Sequence, residues 1–280
     1  MVQLIDMEFL PPFFLPSVVF VFGLIIGSFL DVLVCRFHTG KSINGRSRCL
    51  SCGHTLTWYE LFPFFSYLVQ RGKCRSCEGY IPVRLLCSEL ITACVFLYVF
   101  VSVGVSHVLP LFIVLSAVLI VTVLYDYRHL IIPDEFVIVL SVIAGVYLSF
   151  LLYLGAGVQV LVLHALASLA AASFYFVLWL MSKGRWIGFG DAKLALVLGL
   201  FLYPLEAFSM VVFSFWIGAG VSVLLMAFIS LLKRGQKHLP FLPVTLTMKS
   251  EVPFAPFLIA SFLIVFFGQV EVLTLLESLI

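Results

Sequence analysis

The sequence predicts an all-α integral membrane protein of about eight transmembrane helices. Three observations carry that prediction: 63% of the 280 residues are hydrophobic, only 11% are charged, and the mean hydropathy is +1.20. Soluble domains run at roughly 45–50% apolar and 25% charged residues, so this chain has too little polar surface to cover a globule. Disordered, collagen-like and disulfide-scaffold classes, and ordinary cytosolic folds, are excluded on the same ground. A helix needs about 20 apolar residues to cross a bilayer, which leaves room for seven or eight crossings.

The apolar runs place spans near residues 13–34, 84–105, 107–126, 134–155, 158–181, 187–203, 207–232 and 254–271. The first run lacks a basic leader segment and begins with Pro11, Pro12 and Pro16, so it reads as a span and not as a cleaved signal peptide. The run at 187–203 is the least regular, because Gly188, Gly190 and Asp191 interrupt its start. No heptads, internal repeats or low-complexity tracts are present. The chain divides into a first helix at 1–34, a polar loop at 35–83 and a transmembrane core at 84–280. A shorter linker at 232–253 carries Pro240, Pro243 and several lysines.

The net charge of +2 names no partner, but its distribution sets a topology. The loop after the first span holds Arg36, Lys41, Arg46, Arg48, Arg71, Lys73, Arg75 and Arg84. Alternate connections then hold Arg128; Lys183, Arg185 and Lys193; and Lys233, Arg234, Lys237 and Lys249. These are all 16 basic residues, and the intervening connections and both termini have none. Cytoplasmic segments are the ones enriched in Lys and Arg, so both termini lie outside and the loop at 35–83 faces the cytoplasm. An even number of spans is needed to keep that sorting.

Four of the seven cysteines form two Cys-x-x-Cys pairs, Cys49/Cys52 and Cys74/Cys77, with 21 residues between them. Each such turn presents two thiolates to one edge of a metal, and two turns complete a tetrahedral four-sulfur site, which points to structural zinc. Gly53 and Gly79 stand where tight turns would need them. In a reducing compartment paired disulfides are disfavoured, and so short a loop needs a metal for stability. Cys35, Cys87 and Cys94 lie in or beside spans and read as small apolar helix residues.

Ionisable residues at the edge of a span are costly and point to function. The candidates are Asp31, Glu89, Asp126 and Asp191. Asp126 closes the third span in Tyr125-Asp126-Tyr127-Arg128, and Asp191 opens the sixth in Gly188-Phe189-Gly190-Asp191-Ala192-Lys193. The topology puts both at the cytoplasmic boundary although they are 65 positions apart. Two carboxylates sharing one proton can activate a water and polarise a carbonyl, and such a pair titrates as a unit. The flanking glycines would let a substrate backbone approach closely. Asp134, after Pro133, reads as a helix cap. Asp31 would snorkel or bond backbone, Glu89 would pair with Arg84 or Arg36, and His164 would be a helix-packing residue. A proton- or ion-coupled transporter also uses intramembrane carboxylates; against it, none lies at the midplane and no repeat is visible. A non-enzymatic scaffold docking partners through the cysteine loop is a third reading. No Gly-x-Ser-x-Gly, His-Glu-x-x-His or phosphate-binding glycine loop competes.

Taken in order, these motifs resemble the type IV prepilin peptidases of bacteria over nearly the whole chain. Gly27-Ser28-Phe29-Leu30 with Arg36 is similar to the family's opening helix. Ser47 to Cys52, Pro63, Ser66-Tyr67 and Arg71 to Cys77 are similar to its cytoplasmic zinc loop. Asp126 with Ile132-Pro133-Asp134, Gly188 to Asp191 with Lys193, and Pro253 to Leu258 match its remaining motifs. The resemblance implies a two-aspartate endopeptidase in the bacterial inner membrane, with Asp126 and Asp191 catalytic and Gly188, Gly190, Lys193 and Glu89 supporting them. Its substrates would be prepilins and pseudopilins, cut on the cytoplasmic side after the Gly that ends a basic leader, with no nucleic acid involved. It also implies N-methylation of the new terminus from S-adenosylmethionine, associated with the loop at 35–83; no methyltransferase fold is legible in the residues. The sequence departs from the family at Asp31, usually Asn, at Leu85-Leu86 before Glu89, usually Tyr-Pro, and at Ala255, commonly Gly.

Overall fold

The computed structural model describes residues 11–39, 45–49, 51–234 and 253–277. Lys41, Lys237, Lys249, Pro240, Pro243 and most of the linker expected at 232–253 lie outside these residues. The described chain is helical: α1 (Phe14–Arg36), α2 (Phe65–Val69), α3 (Val83–Val103), α4 (Leu109–His129), α5 (Asp134–Tyr153), α6 (Val158–Ser182), α7 (Phe189–Gly199), α8 (Pro204–Arg234), α9 (Ala255–Gly268) and α10 (Val272–Glu277). A 3₁₀ turn covers Trp58–Leu61, and two isolated antiparallel bridges, Arg48–Thr55 and Lys73–Tyr80, are the only extended pairings among the described residues. Prolines punctuate the helix starts: Pro82 and Pro133 precede α3 and α5 in extended backbone, and Pro204 opens α8.

Six helices, α1, α3, α4, α5, α6 and α8, are long and apolar enough to cross a membrane. The other two expected spans are helices but short. Helix α7 has 11 residues and α9 has 14, or about 16 and 21 Å at the helical rise, against a hydrocarbon core of about 30 Å. The expected run at 187–203 ends early at Gly199, where Leu200, Phe201 and Leu202 tighten into turns that bond three residues back. Protein encloses most of α7: Ala192, Leu194, Ala195, Val197 and Leu198 are all buried, while Phe189 and Leu196 are exposed. A short helix with irregular ends is tolerated at membrane depth only in such surroundings.

The chain forms two compact units, Met1–Arg128 and His129–Ile280. In the first, α1 packs along α3 at backbone distance. A Cβ on Gly23 would sit 2.5 Å from the Ala93 Cα, and one on Gly27 2.8 Å from the Glu89 Cα. Two glycines one turn apart let helices meet closely where lipid supplies no hydrophobic drive. Overpacking of this kind costs about 1–3 kcal/mol, so Gly23→Leu is expected to lower the unfolding temperature in micelles by several degrees. Gly145→Leu, at an open position on α5, should leave it unchanged; equal effects would show that the crossing is not tight.

In the second unit α7 lies against α6 in the same way. A Cβ on Gly199 would be 2.4 Å from the Ser168 Cα, and the Ser168 hydroxyl donates to the Leu196 carbonyl at 2.5 Å. Around this pair, α6 and α8 are joined by the buried Tyr175–Ser214 hydroxyl contact at 2.7 Å. His164, expected as a packing residue, is buried with its ring against Tyr147 and Tyr203.

Candidate active site and metal centre

The loop folds as two matching knuckles. In the first, the Cys49 N–H donates to the His54 carbonyl and the Gly53 N–H to the Cys49 carbonyl. In the second, the Cys74 N–H donates to the Gly79 carbonyl and the Glu78 N–H to the Cys74 carbonyl. The sulfurs of Cys49, Cys52, Cys74 and Cys77 all lie within 4.8 Å of one another, with Cys49 and Cys77 at 3.9 Å. A tetrahedral zinc with sulfurs at about 2.3 Å needs them roughly 3.8 Å apart. The donor set therefore fits zinc in both chemistry and spacing.

The thiols are tuned unevenly. N–H groups of Cys52 and Ser51 pull the Cys49 thiol down to about 6. The Gly79 N–H favours ionisation of Cys77 as well, but the sulfurs of Cys52, Cys74 and Cys49 outweigh it and push that thiol up to about 12. Four thiolates this close repel one another, and a dication among them lets all four ionise.

One expectation for the loop is corrected. The left-handed turn position falls on Gly53 in the first knuckle, with φ +73°, but on Glu78 in the second, with φ +56°. Gly79 is needed for a different reason: a Cβ there would meet the Ser51 Oγ at 2.7 Å and the Cys77 Sγ at 3.2 Å. Fold and loop are joined by Glu89, which is buried on α3. Its Oε2 accepts the Phe64 N–H at 2.8 Å, and the Ser28 hydroxyl also donates to it. It thus serves loop backbone and α1. Asp31 likewise takes the Ser88 hydroxyl rather than backbone.

Asp126 stands in the last turn of α4 and is buried, next to Tyr125, whose ring meets Phe37 edge-on at 5.9 Å. It belongs to the first unit. Asp191 is buried in the first turn of α7, in the second unit. Its Oδ2 accepts the Gly188 N–H at 3.1 Å, so the carboxylate satisfies one of the free N–H groups at the helix start. The two glycines beside it differ: Gly188 is exposed and meets no other element. A Cβ on Gly190 would meet the Ile132 side chain at 3.1–3.3 Å, so that bare face is occupied by the chain's own Ile132.

Asp134 is not the cap of α5, a place taken by Pro133, but its first residue. Its Oδ1 instead receives the Lys193 Nζ at 2.6 Å, and the same ammonium lies 4.9 Å from the centre of the Phe189 ring. This pair and the Ile132–Gly190 contact strap the segment before α5 onto the start of α7. Both partners are partly exposed, at 34% and 69%, which limits the pair to about 0–1 kcal/mol. Asp134→Asn is therefore expected to lower unfolding stability in micelles by no more than that amount. Asp134→Lys should do worse, and Asp134→Lys with Lys193→Asp should recover the lost part; no recovery would mean the pair does not hold α7.

Two family models match the chain: the Bacterial Peptidase A24 N-terminal domain over residues 21–103, and the Type IV leader peptidase family over residues 113–223. A prepilin leader peptidase/N-methyltransferase of Bacillus subtilis (strain 168) is 36% identical over 235 residues, 81% of this chain and 89% of that protein. One of Myxococcus xanthus (strain DK1622) is 34% identical over 208 residues, 74% of this chain and 62% of that protein, so the match spans less than two thirds of that relative. A type 4 prepilin-like proteins leader peptide-processing enzyme of Escherichia coli O78:H11 is 29% identical, over 83% of this chain and 91% of its own length. No solved structure matches. With both halves matched and a 36% identical relative covered over 89% of its length, the chain belongs to the type IV leader peptidase family.

Proposed function

We propose that Asp126 and Asp191 form the carboxylate pair that cuts a prepilin leader at the cytoplasmic face of the bacterial inner membrane. Membership in the leader peptidase family makes the chain a prepilin peptidase, bifunctional with N-methyltransferase activity like its named relatives. The observation that carries the assignment to residues is burial: both carboxylates are nearly inaccessible, at 5% and 6%, in end turns of otherwise apolar helices. A buried ionisable group in such a place is expensive and needs a use.

The ionised aspartate takes a proton from a water, which attacks the carbonyl carbon of the scissile bond. The protonated aspartate donates to the carbonyl oxygen, and the departing amine collects a proton as the C–N bond breaks. The substrate would present its apolar helix to the membrane helices and its basic leader to the cytoplasm. Glycine before the cleavage point loosens the substrate helix, whose intact backbone hides the peptide bond. Gly188 holds Asp191 by its N–H, Gly190 admits Ile132, and Lys193 and Glu89 fix α7 and the loop.

The four cysteines would hold zinc, whose role is to fold the loop at 35–83. S-adenosylmethionine, if bound, would supply the methyl group for the new terminal amine.

The test is a membrane assay on a prepilin-like substrate with a basic leader ending in Gly-Phe, read by mass spectrometry. Cleavage between Gly and Phe, and one added methyl when S-adenosylmethionine is supplied, are expected. Failure of cleavage, together with aspartate-dependent proton flux in a pH-gradient assay, would replace this reading by the transporter.

A further inference from the structure

The two knuckles are alike in hydrogen bonding but differ at one residue. Where the first has Gly53 in the left-handed region, the second has Glu78, at φ +56°. A non-glycine residue there costs on the order of 1 kcal/mol that glycine would avoid. Glu78 lines a cleft of about 870 Å³ between the second knuckle and α2, within the usual range of roughly 300–1,000 Å³ for small-molecule sites.

Three aromatic side chains, Tyr59, Phe62 and Phe65, also line the cleft and are about half exposed. Lys73, Arg75 and Gln70 supply polar groups around the cleft. The Arg75 guanidinium already lies 5.7 Å from the Tyr59 ring centre, so that ring accepts cations on its face. The cleft thus offers a planar apolar wall, a carboxylate acceptor, and two cations. A flat aromatic base, a sugar diol and a carboxylate tail on one small molecule would satisfy all three.

We propose that this cleft binds S-adenosylmethionine. Tyr59, Phe62 and Phe65 take the adenine and sulfonium, Glu78 takes the ribose hydroxyls, and Lys73 and Arg75 take the ligand's carboxylate. The proposal rests on the methyl-transfer reading above and assigns its donor site to named residues. It also accounts for the asymmetry of the knuckles: glycine at position 78 would relax the turn and remove the diol acceptor.

The full chain in lipid nanodiscs is titrated with tritiated S-adenosylmethionine by equilibrium dialysis, and the complex is then photolabelled by ultraviolet light and mapped. Label within residues 59–78 is expected. Binding should weaken at least tenfold in Glu78→Gln and in Tyr59→Leu, with zinc content and prepilin cleavage unchanged. Label elsewhere in the chain, or unchanged binding in both variants, overturns the site. Label mapping on the wild-type chain decides the matter even if a variant loses its zinc. If the wild type neither binds S-adenosylmethionine nor methylates a cleaved substrate, methyl transfer itself fails and the cleft assignment goes with it. If it methylates and both variants do so with unchanged KM for S-adenosylmethionine, the cleft alone is wrong.

Discussion

Asp126→Asn and Asp191→Asn are each expected to reduce prepilin cleavage at least a thousandfold in membranes. Asparagine keeps the size and polarity of the side chain but can neither accept the water's proton nor supply one, and acid–base catalysis by a positioned group contributes roughly 10²–10⁴ in rate. A thousandfold loss is about 4 kcal/mol of barrier. The double variant should be no worse than either single, because residues acting as a unit lose their whole effect with the first replacement. Position matters in reading the result. Asp191 also accepts the Gly188 N–H at 3.1 Å, a bond that Asn can still accept, so loss in Asp191→Asn reports chemistry rather than a frayed helix start. Asp134→Asn provides the contrast, since its pairing with Lys193 is partly exposed. Cleavage persisting within tenfold in both aspartate variants would sink the two-carboxylate mechanism. The wild-type pH profile should show two apparent values that belong to the pair, not to either residue.

Removing zinc is expected to unfold the loop while leaving the helices around it intact. Apparent binding free energies for structural zinc in small domains are about 10–16 kcal/mol, more than a loop of this size can recover from its own burial. Outside the knuckles the bonds that hold the loop are short-range turns and single contacts, among them the Thr57–Glu60 capping interactions at 2.7–2.8 Å and the Phe64–Glu89 bond at 2.8 Å. Hydrogen exchange over residues 45–81 should therefore approach that of an unfolded chain after chelation, or in Cys49→Ser with Cys77→Ser. Exchange in α1 and α3 should not change, since their contact is made by Gly23 and Gly27 against Ala93 and Glu89. Protected loop amides in a sample shown by metal analysis to hold no zinc would refute a structural metal. S-adenosylmethionine binding should vanish with the loop, because Glu78 adjoins Cys77 and Cys74 lines the same cleft.

By itself the sequence determined the class of solvent, the order of the apolar helices, the pairing of the four clustered cysteines and the two acidic motifs, while its eight expected spans became six long helices and two short ones. Each is a local property. Apolar run length sets a crossing, a Cys-x-x-Cys pair places two thiolates within one turn, and an aspartate in an apolar run is conspicuous wherever it falls. Only the tertiary structure decided how those pieces are held. That α7 stops at 11 residues depends on its being enclosed by protein. That Gly190 faces Ile132, that Lys193 reaches Asp134, and that Glu89 takes the Phe64 N–H depend on partners 25 to 59 positions away. The strain at Glu78 was equally invisible, since a nearby Gly79 looked like the turn residue until the backbone put the positive φ one position earlier. Composition and spacing report what a residue can do. Which of its possible partners it meets is settled by packing, where close backbone approach and unsatisfied polar groups each cost on the order of 1–3 kcal/mol and eliminate the alternatives.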